Sequence, residues 1–305
     1  MAFLEKRKRK FGDRKDGCVV KNASSLSICT ASLYPKRCDN EVSMPVEFDI
    51  TKLLKYIDEK NSKNPELNIK FFHCFIAALA RVLNQRVQLN RFIQGAKIYE
   101  RDEITISFVA KRKFNEKAEE VLLTYKAKPN DTVEDISKFI LGEVTDIRKE
   151  ENVSKKNDVG STLDFFAKFP AVLRILVGMV LRTLDYWGIA PEIVTKGDPS
   201  FCTALVANIG SLNGGSAYHH LNNYGTTSMM YHIGTIKKKN ILQEDGKIKT
   251  IDVVDVTITV DERIADGLYL VKSIKLLEDI LLNPETLDIE VCEEYIPNYE
   301  GYYVR

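Results

Sequence analysis

The residues best suited to chemistry lie in a charged segment near the C-terminus, residues 261–267, with the sequence Asp-Glu-Arg-Ile-Ala-Asp-Gly. The segment follows a run rich in β-branched residues and precedes a run with helical spacing, so we expect a turn from a strand into a helix. Such a turn brings Glu262, Arg263 and Asp266 close together, and an Arg263–Asp266 ion pair would stiffen it. The cluster alone is more typical of a structural turn than of a catalytic site.

Two adjacent histidines form a second candidate region upstream. His219 and His220 follow a strand-like run at 204–210 and a glycine-rich turn at 210–215. Histidine is the commonest general base in enzymes because its pKa lies close to neutrality. Neighbouring residues of an extended chain point in opposite directions, so we expect at most one ring to face a site. A structural or surface role is the alternative for both.

Helices and strands that would position these residues alternate along the chain. The mixture predicts an α+β fold without internal repeats. Residues 97–128 are expected to form an antiparallel meander, and Asp245-Gly246 to turn a hairpin. His73, inside an apolar helical run, is expected to be a core histidine. The strands are predicted at 42–50, 97–113, 121–128, 204–210, 228–236 and 251–260, the helices at 51–57, 68–83, 131–150, 169–187 and 268–282, and a loop at 149–160.

The most apolar segment, residues 169–187, is expected to be an amphipathic helix. Arg174, Arg182 and Asp185 interrupt it well short of the ~20 apolar residues that span a bilayer. We expect its apolar side to pack against the same chain or a neighbouring subunit. Contact with a membrane surface and a lid over a ligand channel are the alternatives.

The composition is that of a globular protein without a strong charge bias. Of 305 residues 44% are hydrophobic, and 44 basic against 43 acidic residues leave a formal charge of +1. No overall field therefore favours nucleic acid or an anionic membrane as partner. Six cysteines without metal-ligand spacing predict free thiols in the cytoplasm and no metal site. The basic N-terminus lacks the apolar stretch of a secretory signal, so we expect a solvated tail at residues 6–10.

Two of these segments resemble the signatures of a known acyltransferase family. The segment D-E-R-I-A-D-G is similar to the D-H-R-x-x-[DN]-G signature in the catalytic domain of the 2-oxo acid dehydrogenase (dihydrolipoyl) acyltransferases, which are relatives of chloramphenicol acetyltransferase. A second family block, close to S-N-I-G-S-I-G-G, resembles A-N-I-G-S-L-N-G at residues 207–214. The order of the flanking elements agrees from about residue 42 to residue 287.

This resemblance implies an α+β, chloramphenicol acetyltransferase-like two-layer sandwich, with a mixed sheet, flanking helices and trimeric assembly. We expect an arm at 1–41 docked on a catalytic domain at 42–290, followed by a tail at 291–305. In the family, coenzyme A and the acyl acceptor enter opposite ends of a channel at a subunit interface. The implied partners are acyl-CoA as cosubstrate, an unknown acceptor and further copies of the chain. No covalent cofactor, nucleic acid or transmembrane segment is expected.

The chain departs from the family at both catalytic positions. The family histidine, the general base on the attacking thiol or hydroxyl, falls on Glu262, and the hydroxyl residue that binds the oxyanion falls on Ala207. Losing either group in a standard acyltransferase is expected to cost about 10²–10³ in rate. Arg263 and Asp266 match the family, so the turn itself is expected to be retained.

The resemblance leaves two alternatives for the function: acyl transfer, and a binding or scaffold role without catalysis. Acyl transfer would need Glu262 as the base, with its pKa raised in a closed channel, or His219 or His220 in its place. The alternative is a catalytically silent trimeric binding or scaffold protein; chloramphenicol resistance is disfavoured by the missing histidine. Asp266 is counted with the catalytic group because it shapes the turn. The expected substrate-binding residues are Arg263, Asn208, Ser211, Thr226 and Thr227, with Ser228 as a further hydroxyl donor.

Overall fold

The computed structural model describes residues 7–111, 120–149, 166–191, 195 and 198–297. The helices in this part of the chain are α1 (Ser25–Leu33), α2 (Thr51–Lys63), α3 (Phe71–Gln85), α4 (Val133–Lys149), α5 (Ala171–Tyr186) and α6 (Gly267–Leu282). The strands are β1 (Gly17–Val19), β2 (Glu41–Asp49), β3 (Arg91–Gln94), β4 (Lys97–Arg101), β5 (Thr105–Lys111), β6 (Glu120–Lys126), β7 (Ala204–Asn208), β8 (Met229–Leu242) and β9 (Ile248–Asp261).

The main sheet is mixed, as the resemblance implied. Its six strands lie in the order β2-β9-β8-β7-β5-β6, and β7 pairs in parallel with both β5 and β8 while the other pairs are antiparallel. A long hairpin joins β8 to β9 and turns at Gly246, whose positive φ of 78° suits a residue without a side chain. The predicted Asp245-Gly246 turn is therefore confirmed.

Helices cover one face of this sheet and form the core with it. Alternate residues of the strands, among them Val206, Tyr231 and Ile258, are buried against helix residues. Helix α3 is buried on nearly every side and packs against α4 and α6. The α+β class and the two layers are thus as predicted, since a sheet with one apolar face must bury that face against another element.

His73 is a core residue, as its apolar surroundings predicted. It is buried in α3, and its Nδ1 accepts from the Lys70 amide at 3.3 Å and lies 2.8 Å from the Ser137 hydroxyl. Burial lowers the pKa of His73 to about 4, so the ring is neutral at pH 7. It serves the packing of α3 against α4.

The expected antiparallel meander over residues 97–128 is confirmed for β5 and β6, which pair antiparallel, but is wrong for β4. Strand β4 belongs to a separate three-stranded sheet, in the order β1-β4-β3, whereas β5 and β6 belong to the main sheet. Arg101 at the end of β4 explains the break: its buried guanidinium donates to the carbonyls of Phe201 and Thr226 at 3.0 and 2.7 Å. These bonds fix the end of β4 to Phe201 and Thr226, which are distant in sequence, and the next strand, β5, joins the main sheet instead. The predicted loop at 149–160 lies, apart from its first residue, outside the described residues.

The N-terminal arm is fastened to the body by strand pairing and by buried charge. Strand β1 pairs with β4, and Arg14 lies 2.9 Å from Asp185 at the end of α5, both side chains being almost fully buried. The basic tail is not simply solvated, because Arg7 is paired with Glu100 at 3.1 Å and Arg9 with Asp102. The planar guanidinium group of arginine pairs well with a carboxylate, and the number of basic residues in the tail did not reveal this pairing.

Helix α5 exposes most of its apolar surface in a single chain. Val172, Ile175, Leu176 and Met179 are all more than half exposed, and only the Asp185 end of the helix is held against the body. These four residues do not pack against the same chain, whereas Val177, Leu181 and Leu184, on the side predicted to be apolar, are half-buried in it. No helix among the described residues has the length and apolar character needed to cross a bilayer.

Candidate active site

The segment 261–267 makes the predicted turn from β9 into α6, but its ion pair differs from the expected one. Arg263 binds Asp261 instead of Asp266: its Nε and Nη2 donate to the two carboxylate oxygens at 2.7 and 2.6 Å. Asp266 caps α6 by accepting from the Tyr269 amide at 2.8 Å. The carboxylate two positions before the arginine satisfies both guanidinium donors, so the carboxylate of Asp266 is free to accept from a helix amide.

A second buried cation completes this charged cluster. The Arg37 Nε lies 3.7 Å from Asp261, and Asp261, Arg263 and Arg37 are each at most 5% exposed. Arg37 also donates to the carbonyls of Asn222 and Gly225, at 2.6 and 3.1 Å. The turn at 261–267 is therefore tied to the loop that carries the two candidate histidines.

Glu262 is exposed on this rigid turn. Its backbone amide donates to the Asn40 carbonyl at 2.9 Å, while its side chain faces a groove of about 930 Å³. The groove runs between the turn and α1, with Asp266 and Ser27 among its lining residues. The arrangement presents a carboxylate at the wall of a space large enough for a small-molecule ligand.

The second candidate region lies at the carboxyl end of β7. Residues 209–215 turn away from Asn208, whose side chain accepts from the Ser211 amide at 3.2 Å, and Ser211 Oγ donates back to the Asn208 carbonyl at 2.8 Å. A Cβ on Gly210 would lie 2.1 Å from the Gly234 carbonyl oxygen, so this turn packs on β8 only because residue 210 is glycine. Asn208 and Ser211 thus bind each other and shape the turn.

Three histidine rings are stacked beside this turn. The centroids of His219 and His220 are 4.8 Å apart with an interplanar angle of 17°, and those of His219 and His232 are 5.1 Å apart at 16°. The expectation that His219 and His220 point in opposite directions is wrong, because the segment is an irregular loop in which His219 Nδ1 donates to the His220 carbonyl at 2.7 Å. We call these three residues the imidazole stack.

His232 was not singled out by the sequence, yet it is the innermost ring of the stack. It lies on β8 opposite Ala207 of β7 and Thr257 of β9, on the sheet face away from the core. Alternation along 228–236, with Tyr231 and Ile233 inward, could have placed His232 on the outer face. Its neighbour Ala207 depended on a parallel pairing that the sequence does not reveal.

The expected hydroxyl donors are already engaged. Thr226 is fully buried and its Oγ1 accepts from Arg101 at 2.8 Å, whereas Thr227 Oγ1 donates to the Pro199 carbonyl at 2.8 Å. Ser228 is buried too and donates to the Thr226 carbonyl at 3.3 Å. These contacts hold the loop and leave the three hydroxyls poorly placed to bind a substrate.

The two regions lie far apart within one chain. Ala207, His232 and Thr257 form one row across β7, β8 and β9, and Glu262 follows Thr257 along the chain by five residues. Two strand spacings and five residues of strand correspond to about 20 Å. Ala207 and Glu262 of the same subunit therefore do not meet around one substrate atom.

Residues 195–289, which contain both candidate regions, match the family described as 2-oxoacid dehydrogenases acyltransferase (catalytic domain). The structure is similar to a probable dihydrolipoamide acetyltransferase from Listeria monocytogenes, with a TM-score of 0.56 and 19% identity over 88% of this chain and 95% of that one. The chain carries the chloramphenicol acetyltransferase-like fold.

Two further structures support this assignment of the fold. Chloramphenicol acetyltransferase itself aligns with a TM-score of 0.53 and 12% identity, over 87% of this chain and 99% of that one. Azotobacter vinelandii dihydrolipoamide acetyltransferase, studied for the roles of a serine, a histidine and an asparagine in its catalytic mechanism, aligns with a TM-score of 0.57 and 12% identity over 86% and 88%. No curated protein matched this acyltransferase-like chain in sequence.

Proposed function

We propose that the protein is an acyltransferase that takes its acyl group from a coenzyme A thioester. The observation that carries this proposal is the retained turn at 261–267, which a buried Asp261–Arg263 pair holds rigid and which presents Glu262 to a groove of about 930 Å³. The acceptor is a thiol, hydroxyl or amine of unknown identity.

The proposed active site is shared between subunits of a homotrimer. Within one chain Ala207 and Glu262 are about 20 Å apart, so a site that uses both regions takes one from each of two neighbouring copies. Glu262 is the first candidate for the general base, because its side chain faces the groove. The alternatives are His219 and His220, which belong to the imidazole stack at the other region.

Other features agree with this proposal without carrying it. All six cysteines, which lie within the described residues, are free thiols, in keeping with a protein of a reducing compartment such as the cytoplasm. Acyl transfer from a thioester needs only a base and an oxyanion donor.

The experiment that tests the proposal is a thermal shift against free coenzyme A and a panel of short, branched and long acyl thioesters. A ligand at 100 times its Kd stabilises the folded state by about 2.7 kcal/mol, which raises Tm by roughly 5 °C. Acyl-pantetheines without the nucleotide serve as matched ligands. A shift confined to certain acyl chains names the donor, and release of the free coenzyme A thiol, separated by chromatography from any thiol acceptor, then measures transfer with a panel of acceptors.

A silent binding or scaffold protein is the second candidate. It is favoured by one observation, the replacement of both family catalytic residues by Glu262 and Ala207. The absence of any thermal shift and of thiol release over the whole panel would make this function the leading one.

A further inference from the structure

His232 is a buried side chain without a hydrogen-bond partner. It is 6% exposed, and neither ring nitrogen has a partner among the residues that the structure describes. Buried polar side chains nearly always have a partner, so an unpaired ring calls for a ligand or a mechanistic use. His219 covers one face of the ring by stacking, which leaves the ring edge with its nitrogens for such a partner.

The place of His232 in the sheet indicates what that use is. His232 and Ala207 are register partners on the parallel strands β8 and β7, so their side chains emerge side by side on the same face, with Cα atoms about 5 Å apart. Ala207 occupies the position at which the resemblance places the oxyanion hydroxyl, and its methyl group cannot donate. The nearest position on the neighbouring strand instead carries an imidazole.

The protonation state of the ring suits donation rather than proton abstraction. Burial, together with the nearby His219, lowers the pKa of His232 to about 4. At pH 7 the ring is therefore neutral, with one N–H donor and one acceptor nitrogen. A neutral imidazole can hold its proton against a developing oxyanion, while an imidazolium would lose it more readily.

We propose that His232 donates the hydrogen bond to the oxyanion of the acyl group, in place of the hydroxyl that Ala207 lacks. The inference rests on the proposed acyl transfer. The acceptor's thiol or hydroxyl attacks the thioester carbonyl carbon, its proton passes to the base, and the carbonyl π electrons move to oxygen. The His232 N–H stabilises this oxyanion and keeps its proton. The carbonyl then re-forms, the carbon–sulfur bond breaks, and the departing coenzyme A sulfur receives the proton from the base.

His219 is a positioning residue in this mechanism. Its ring stacks on His232 at 5.1 Å, and its own Nδ1 is held by the His220 carbonyl, so the ring is fixed in orientation. A fixed neighbour restricts rotation of the His232 ring. Electrostatic stabilisation of this kind depends on a donor whose direction is set before reaction.

The kinetic test uses His232→Leu, which removes the donor and keeps an apolar side chain. We expect kcat to fall by about 10²–10³ with KM little changed, because the bond forms only in the transition state. Adding Ala207→Ser to this variant restores a donor at the family position and should recover at least a tenfold part of the loss. His73→Gln, at the other buried histidine of the chain, is the matched control and should keep wild-type kcat.

A second measurement does not depend on turnover. The chain has only four histidines, so the His232 signal in a side-chain ¹⁵N NMR spectrum can be assigned as the one that is missing from the spectrum of His232→Leu. At pH 7 the free protein should show a neutral His232 ring, and the stable ketone analogue of acetyl coenzyme A should shift its N–H proton downfield as it binds the ketone oxygen. The His73 signal should not move.

The combined outcomes separate this inference from the proposed function. Transfer activity that survives His232→Leu unchanged overturns the donor role and leaves acyl transfer standing. An inactive wild-type protein whose His232 signal shifts with the ketone analogue overturns transfer and retains His232 as a carbonyl-binding residue. An inactive wild-type protein without that shift overturns both. Loss of kcat without rescue by Ala207→Ser and without a shift indicates a structural role and also overturns the inference.

Discussion

The buried carboxylate of Asp261 offers the sharpest test of how the turn at 261–267 is held. One oxygen accepts from Arg263 Nε at 2.7 Å, the other accepts from Arg263 Nη2 at 2.6 Å and lies 3.7 Å from Arg37 Nε. All three side chains are at most 5% exposed, so water cannot take over these contacts. Asp261→Asn would keep the size, leave two buried guanidinium groups without a counter-charge, and turn an amide N–H₂ toward one of them.

The expected loss of unfolding free energy is about 3–5 kcal/mol, the cost of removing one partner from a buried ion pair. Urea unfolding followed by far-UV circular dichroism measures it; the single tryptophan, Trp187, is 70% exposed and is a poor probe. All samples need one protein concentration, so that the proposed assembly contributes equally to their apparent stability. The slope of free energy against urea should stay unchanged, since the exposed surface is the same.

The matched control is the exposed ion pair between Lys126 and Glu103. Its atoms are 2.6 Å apart, but the side chains are 59% and 45% exposed. Glu103→Gln should therefore cost about 0–1 kcal/mol, although the distance is as short as in the buried pair. A loss below about 1 kcal/mol for Asp261→Asn would refute the reasoning, because burial would then have added nothing to the pair.

Three further outcomes are expected. Glu262→Gln should abolish thiol release with little change in Tm, since Glu262 is exposed; equal activity would remove Glu262 from the mechanism. The free energy of unfolding should fall as pH drops from about 6.5 to about 4, because His73 binds a proton in the unfolded chain but not when it is buried. In urea titrations, His73→Gln should reduce the slope of unfolding free energy against pH by up to ~1.4 kcal/mol per pH unit. Sedimentation should give a mass about three times that of the 34.7 kDa chain. Ile175→Glu on α5 should weaken this trimeric assembly, whereas Leu242→Glu at the exposed end of the hairpin should not. A monomer at all protein concentrations would contradict the prediction.

Elements of the fold could be predicted from the sequence because apolar spacing is a local property. The helix at 268–282 and the strand at 251–260 agree with α6 and β9 to within a few residues. The distribution of strands between the two sheets could not be predicted, because it depends on hydrogen bonds from the buried Arg101 to the carbonyls of Phe201 and Thr226, which are distant in sequence. The spacing of apolar residues along the chain does not predict such long-range contacts.

The candidate site was predictable only in part, for the same reason. The turn at 261–267 and the two adjacent histidines carry recognisable local patterns. The Asp261–Arg263 pair and the His232–Ala207 neighbourhood are set by side-chain burial and by strand register. Register decides which side chains share a face across a sheet, and a parallel pairing leaves no turn signal in the sequence.

The separation of the two regions leads to a prediction that no single variant can test. If each site takes Glu262 from one subunit and His232 from its neighbour, Glu262→Gln and His232→Leu subunits are each inactive alone and complementary together. In trimers assembled at random from equal amounts of both, about one site in four receives both intact residues. Co-expression under two affinity tags, with purification of the doubly tagged species, supplies the mixed trimers for the thiol-release assay.

Every doubly tagged trimer contains both kinds of subunit and therefore has one intact site of three. About a third of wild-type activity in these trimers would show that the site spans the interface, since neither parent chain contains an intact pair. Activity no higher than that of the parents would mean that the chemistry uses groups of one chain. The strand register makes that second result hard to reconcile with Glu262 as the base, because about 20 Å of sheet lies between Glu262 and Ala207. The base would then have to come from the imidazole stack itself, with His220, its outermost and most exposed ring, as the residue to vary next.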